Sequence, residues 1–183
     1  MSLDKMTATD MLQASTKYNT LPEDAMGIGG YYTATCYSAD GQLKWTDVIE
    51  NLVVTEGRNL TLNTVLGNSA AGAVFMGLKS TGTAIAADTM AIHPSWTEIT
   101  VISARGTPSF SAASAGSKTT SSAVSFSITG SATVAGCFIN IGGSATVGNT
   151  SGFLFSAGDF SSNKAVVSGD SIAVTYTASL TAT

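Results

Sequence analysis

Charged residues are scarce in this chain. They make up 11% of its 183 residues, less than half of the share of about 25% in an average globular domain. The eight lysines and arginines form no cluster, and the net charge is −4. Because proteins bind phosphate backbones through clustered basic side chains, we expect no nucleic-acid partner.

Long apolar runs are also missing. Apolar residues reach 44% and the mean hydropathy is +0.26, which is too apolar for a disordered chain. Serine, threonine and glycine nevertheless interrupt every run before it reaches the roughly 18 residues of a membrane-spanning helix. We therefore expect a folded protein with no membrane partner. The first residues, MSLDKMTATDMLQ, lack the apolar stretch of a secretory signal, which indicates synthesis in the cytoplasm.

Cysteine and histidine are nearly absent, with two residues and one residue respectively. Cys36 and Cys137 lie in separate strand-like segments without a CxxC partner, and one histidine does not complete a zinc set with them. We expect no metal and no other cofactor. A disulfide between the two is geometrically possible, but free, buried thiols are our prediction because cysteine often serves as a small apolar residue.

Small residues are what the chain has in quantity: alanine, glycine, serine and threonine account for 94 of the 183 residues. The charges lie mostly in one third of the chain, since residues 1–60 contain eight acidic and four basic groups and residues 61–183 contain four of each. A surface so poor in charge is a solubility hazard for an isolated monomer. It fits a subunit of an assembly, which we favour, and also a secreted or viral β protein coated with hydroxyl groups.

Strand patterns dominate from residue 29 onward. Segment 30–37 is rich in aromatic and β-branched residues and ends at Asp40-Gly41, a typical hairpin turn. A return strand is predicted over 42–54, with Trp45, Ile49 and Leu52 in the core. Further strands are predicted at 73–78, 96–102, 124–128, 134–141, 152–155 and 171–180, with loops at 80–94 and 111–120.

One helix interrupts the strands, at about 55–66. Thr55 is placed to cap it, Leu62, Val65 and Leu66 have helical spacing, and Gly67 ends it. Together these patterns predict an all-β fold: a β-sandwich of jelly-roll type with about eight strands, one short helix and an extended N-terminal arm. We divide the chain into the arm, 1–28, and the sandwich domain, 29–183.

The arm has no sustained helical period, and Pro22 interrupts its end. Its few large apolar or aromatic side chains are the predicted contacts with a partner chain. These are Met6, Met11, Leu12, Tyr18 and Leu21.

Catalytic patterns are not found. His93 precedes a proline in a predicted loop, and we interpret it as a residue that packs against Trp96 rather than as a base. The scattered carboxylates form no metal-binding or acid–base motif, and we expect them to cap turns. They are Glu50, Glu56, Asp88, Glu98, Asp159 and Asp170. We therefore predict that the protein is not an enzyme.

Three stretches carry a resemblance to a known family. They are GQLKW at 41–45 with ENLVVTEG at 50–57, ADTMAIHPSWTE at 87–98, and FSSNKAVVSGD at 160–170. Together they resemble small structural proteins encoded in the virion modules of tailed bacteriophages, over about residues 30–180. The resemblance implies a virion component made in the host cytoplasm, and it brings no catalytic residues.

The expected function is that of a capsid cement or decoration protein on the exterior of the head. Its partners would be the major capsid protein and other copies of itself. The alternative is a tail or head-fibre module that binds a host receptor or glycan, with Tyr31, Tyr32, Trp45 or Trp96 as sugar platforms. A cytosolic enzyme is the third and least favoured class.

Overall fold

The computed structural model describes residues 26–67, 70 and 72–182. Within them the chain forms nine strands and one helix. In chain order these are β1 (Met26–Tyr37), β2 (Leu43–Glu50), β3 (Leu52–Val53), α1 (Thr55–Val65), β4 (Val74–Lys79), β5 (Ser117–Thr119), β6 (Val124–Ser127), β7 (Ala132–Ile141), β8 (Phe153–Val166) and β9 (Ser171–Ala182). Because β1 begins at Met26, residues 26–28, which the sequence analysis assigned to the arm, are part of the first strand.

The strands form two antiparallel sheets. The first has the order β2-β1-β9, and β5 and β6 pair with different halves of the free edge of β9. The second has the order β3-β8-β7-β4. The largest cluster of buried side chains draws on both, with Tyr32 and Ile172 from the first sheet and Leu78 and Ile139 from the second. The prediction of an all-β sandwich with one short helix is confirmed.

Alternating residues account for the strands of the first sheet. In β6, Val124 and Phe126 are buried whereas Ser125 and Ser127 are exposed. An antiparallel strand sends successive side chains to opposite faces, so this pattern places one face on the core and the other in solvent.

The second sheet is buried on both faces at β7, where every residue from Val134 to Asn140 is buried. Cys137 faces the other sheet. Phe138 faces outward, where it joins a second cluster that includes Met90, Trp96 and Leu154. The long segment after β4 therefore covers the outer face of this sheet, which explains why β7 is apolar on both sides.

The strand predicted at 96–102 is wrong. This segment pairs with the edge of β4 only at an isolated bridge between Lys79 and Glu98, where the Ile99 N–H donates to the Leu78 carbonyl and the Ser80 N–H to the Thr97 carbonyl. The indole of Trp96 is buried in the second cluster. This burial draws the segment over the sheet face and ends regular pairing.

The strand predicted at 42–54 is divided in two. It crosses from the first sheet to the second at Asn51, between β2 and the two-residue β3. Ile49 is buried as predicted, Trp45 is half-buried, and Leu52 is exposed. Leu52 faces outward because β3 lies at a sheet edge with Val53 directed inward.

The helix lies where it is predicted, but its details differ. Its N-cap residue is Val54 without a side-chain cap, so Thr55 is the first helical residue rather than the cap. Leu62, Val65 and Leu66 are exposed. The buried positions are Gly57 and Leu60, because the helix approaches β8 closely: a Cβ at Gly57 would lie 2.1 Å from the carbonyl oxygen of Phe155. Gly67, at φ +85°, ends the helix as predicted.

Two further segments correct the predictions. The predicted loop at 111–120 contains a small hairpin, in which β5 returns after a turn with Ala115 and Gly116 at positive φ. The strand predicted at 152–155 continues to Val166. Asp159 therefore lies inside β8 and not at a turn.

Candidate interaction surface

The charged side chains mostly bind one another. Four cations of the described residues make salt bridges, and three of the four pairs join residues more than 70 positions apart. These pairs are Lys44–Asp170, Lys79–Asp159, Arg105–Glu98 and Lys164–Asp47. In the described range 72–182, Lys118 is consequently the one exposed charged residue. The outer surface formed by this range is almost uncharged.

Arg105 and Glu98 form the most buried of these pairs. Nε and Nη2 of Arg105 donate to the two carboxylate oxygens of Glu98 at 2.9 and 2.8 Å, and the Arg105 side chain is fully buried. Arg105 also donates to the carbonyls of Ser144 and Asn149, and Glu98 accepts a bond from the Gly148 N–H. The pair thus fixes the 142–152 loop to the segment that covers the second sheet.

Asp170 and Lys44 form a second pair, at 2.5 Å. Burial by itself would raise the pKa of Asp170, but hydrogen bonds from Lys44 and from the Val167 N–H outweigh it and lower that pKa. Asp170 also lies at the turn before β9, so the prediction of a carboxylate that caps a turn is confirmed there.

The carboxylates around His93 hold loops in place. The rings of His93 and Trp96 stack with centroids 4.0 Å apart, so the predicted packing of the histidine is confirmed. Asp88 accepts hydrogen bonds from the Trp96 indole at 2.9 Å and from the Ile85 N–H. Glu56 accepts the N–H groups of two residues in other segments, one of them in β8. Asp88 thus holds together the segment that follows β4, and Glu56 attaches that segment to β8 of the second sheet.

Neither cysteine is exposed. Cys36 and Cys137 are free and fully buried, as predicted, and burial raises the pKa of both thiols. Among the residues that the structure describes, no three metal-ligating side chains come together, and no helix has the length and apolarity needed to cross a membrane.

The four aromatic residues considered as sugar platforms do not share one surface. Tyr32 and Trp96 are buried, and the Tyr32 hydroxyl lies 2.7 Å from Ser156 Oγ. Trp45 is half-buried in an edge-to-face contact with Phe160. Tyr31 alone of the four is classed as exposed. The glycan hypothesis therefore loses two of its four residues.

An apolar groove lies at one end of the sandwich, between α1, the start of β1, the end of β9 and β5. It consists of four adjoining depressions of about 140 to 290 Å³. Shared lining residues connect them: Ile28, Thr61, Lys118, Phe155, Ala178 and Leu180. We call this feature the end groove.

Two cations border the end groove, Arg58 near β1 and Lys118 near β5. They are the described cations that make no salt bridge, and no carboxylate lines these four depressions. The sequence analysis missed the end groove. The sequence feature that could have revealed it is the row of apolar residues on α1, which we interpreted only as evidence for a helix.

The predicted partner contacts lie outside the described residues. They are Met6, Met11, Leu12, Tyr18 and Leu21, all in the part of the arm before Met26. Comparison with known proteins adds no relative: no protein-family model, curated protein or solved structure matches the chain.

Proposed function

We propose that this chain is a bacteriophage capsid cement or decoration protein that binds the outside of the head and reinforces contacts between major capsid subunits. The resemblance of residues 30–180 to phage virion proteins is the reason for proposing a virion component. The structure contributes support of a physical kind: a β-sandwich whose surface is suited to contact with other proteins.

The uncharged, partly apolar surface carries the proposal. Large apolar side chains are exposed in three separate places: Val65 at the end of α1 and Leu66 directly after it are 75% and 76% exposed, Ile92 in the segment after β4 is 69% exposed, and Val48 on β2 is 62% exposed. Depletion of charge together with exposed apolar groups is typical of the central part of protein interfaces. A protein with such a surface gains stability when neighbours cover it.

Internal cross-links support a mechanical role. Three salt bridges join distant segments, and the second sheet is covered on both faces. Packaged DNA presses outward on a capsid, and a subunit that bridges two capsomers adds interface area that expansion must break. Specific interfaces bury about 1,200–2,000 Å². The negative net charge favours the outer face, because an inner-face protein would meet DNA.

The test uses phage heads assembled with and without the protein. We expect complete heads to retain DNA to a higher temperature, and we expect re-added protein to restore that retention. Binding to heads should change little between about 0.1 and 1 M salt, over which the Debye length falls from roughly 10 to 3 Å. Identical DNA-release curves with and without the protein would refute the proposal.

Single charged substitutions locate the contact face. Leu66→Glu, Ile92→Glu and Val48→Glu each alter a side chain that is more than 60% exposed, so all three proteins should fold. We expect the variant that faces the capsid to lose binding while the other two serve as its controls. Normal head stability combined with loss of adsorption to host cells would favour the receptor- or glycan-binding alternative instead.

A further inference from the structure

We propose that the end groove is the docking site of residues 1–25 of the same chain. This inference concerns the isolated protein and does not depend on the proposed function. It rests on three observations: the apolar lining of the groove, the place where the described chain starts, and the charges at the groove and in the segment.

The lining explains why an occupant is needed. The four depressions are almost entirely apolar, with Phe155 at the point where three of them meet. Leu180 and Leu62, which line one end, are 45% and 51% exposed. A continuous apolar surface of this kind is characteristic of a binding groove, and covering it removes apolar area from water.

The start of β1 identifies the occupant. Met26, the first described residue, lines the end of the groove beside Ile28 and Leu180. The segment that precedes Met26 is therefore covalently tethered at this end of the groove. Twenty-five residues extend at most to about 90 Å, and a segment tethered at the site has an effective concentration on the order of millimolar. The chain's own segment is thus present at the groove in advance of any partner.

Charge and apolar content match between the two. The groove is bordered by Arg58 and Lys118, the two lysine or arginine side chains that make no salt bridge among the described residues. Residues 1–25 contain four acidic and two basic groups, for a net charge of −2. They also supply apolar and aromatic side chains for the lining, namely Met6, Met11, Leu12, Tyr18 and Leu21. These are the residues that the sequence analysis assigned to a partner chain, and here they are assigned to the chain itself.

A spin label on the segment tests the assignment in the full-length protein. Both native cysteines are fully buried, so a nitroxide reagent will modify the introduced thiol of Ser15→Cys selectively. We expect the amide signals of Gly116, Ala178 and Leu180 to lose more than half of their intensity. The signal of Gly41 should be retained, because it lies beyond the opposite end of β1, more than about 35 Å along the strand.

Charged substitutions in the groove provide the matched variants. Leu180→Glu and, on a separate element, Leu62→Glu should each restore the intensities of Gly116 and Ala178. Val48→Glu alters another exposed apolar residue, one that does not line the groove, and should leave the broadening unchanged. Amide dispersion in each spectrum reports that the variant is folded, and the second groove variant serves if the first does not fold.

A mixed sample separates the chain's own segment from that of a second copy. Labelled protein without isotope is combined with isotope-enriched protein without label, and we expect no broadening at the groove. Broadening in the mixture would show that the segment docks on a second copy and would overturn the proposal. Equal intensities at both ends of β1 in the singly labelled protein would overturn it as well. Neither result bears on DNA retention by phage heads.

Discussion

Removal of the negative charge from the buried Arg105–Glu98 pair gives the sharpest test of how this sandwich is held together. Glu98→Gln preserves the size of the side chain. It leaves the guanidinium of Arg105, which is fully buried, with neutral acceptors only. These are the new amide oxygen, the carbonyls of Ser144 and Asn149 and the side-chain oxygen of Asn140. It also weakens the acceptor of the Gly148 N–H.

The expected loss is large relative to the stability of the protein. Removing one partner from a buried ion pair costs about 3–5 kcal/mol, and domains are stable by about 5–15 kcal/mol. For a chain of this length each kcal/mol lowers the melting temperature by roughly 2–4 °C. Glu98→Gln should therefore lower it by roughly 6–20 °C.

Urea unfolding measured by fluorescence, together with calorimetry, provides the assay. Glu50→Gln is the matched control, because Glu50 is exposed and makes no salt bridge among the described residues. It should change the free energy of unfolding by less than about 0.5 kcal/mol. The double variant Glu98→Leu, Arg105→Met removes both charges and should recover at least half of the loss.

Two results would refute this reasoning. One is a free energy of unfolding for Glu98→Gln within about 1 kcal/mol of the unmodified protein, since such a value is typical of an exposed pair. The other is a double variant that is no more stable than the single one. In that case the cost would come from lost loop contacts rather than from an unpaired charge.

The remaining predictions concern the reactivity of the two thiols, the stability of the protein at acid pH and the role of His93. Cys36 and Cys137 should not react with a thiol reagent at pH 8 until the protein unfolds, and rapid labelling of either in the native protein would contradict their burial. The lowered pKa of Asp170 adds stability that is fully present above its unfolded value of about 3.9 and is lost as pH falls through the folded value. Asp170→Asn should therefore flatten the acid limb of the stability curve, and a limb of unchanged steepness would contradict the role of Lys44. His93→Ala should lower the free energy of unfolding by about 1–2 kcal/mol, through lost stacking and a lost hydrogen bond, without altering DNA retention by heads at 25 °C. Lost retention in that variant would indicate that His93 has a role beyond packing.

Local sequence patterns correctly predicted those elements whose geometry is set by residues close together in the chain. Asp40-Gly41 forms the hairpin turn with Gly41 at φ +81°, and Val124 and Phe126 alternate with exposed serines. The burial of both cysteines was predicted because each lies in a strand-like segment and cysteine often serves as a small apolar residue. In each case the signal lies within a few residues of the feature.

Local patterns failed where a distant segment decides the outcome. Segment 96–102 has the composition of a strand, but burial of Trp96 against Phe138 of β7 takes it over the sheet face. The exposed side of α1 was not predictable from Leu62 and Val65, because the contact of Gly57 with Phe155 sets the orientation of the helix. Burial of a given side chain depends on what packs against it, and the sequence of the element alone does not contain that information.

The sequence by itself determined the β-rich character, the position of the single helix, the scarcity of charge and the buried thiols. These follow from composition and from periodicities of two to four residues. The tertiary structure alone decided which charges meet, as in Lys44 with Asp170, 126 positions apart, and that the apolar lining of the end groove comes together beside Met26. Both depend on how the two sheets are registered and stacked, because that arrangement brings together residues that lie far apart in the chain.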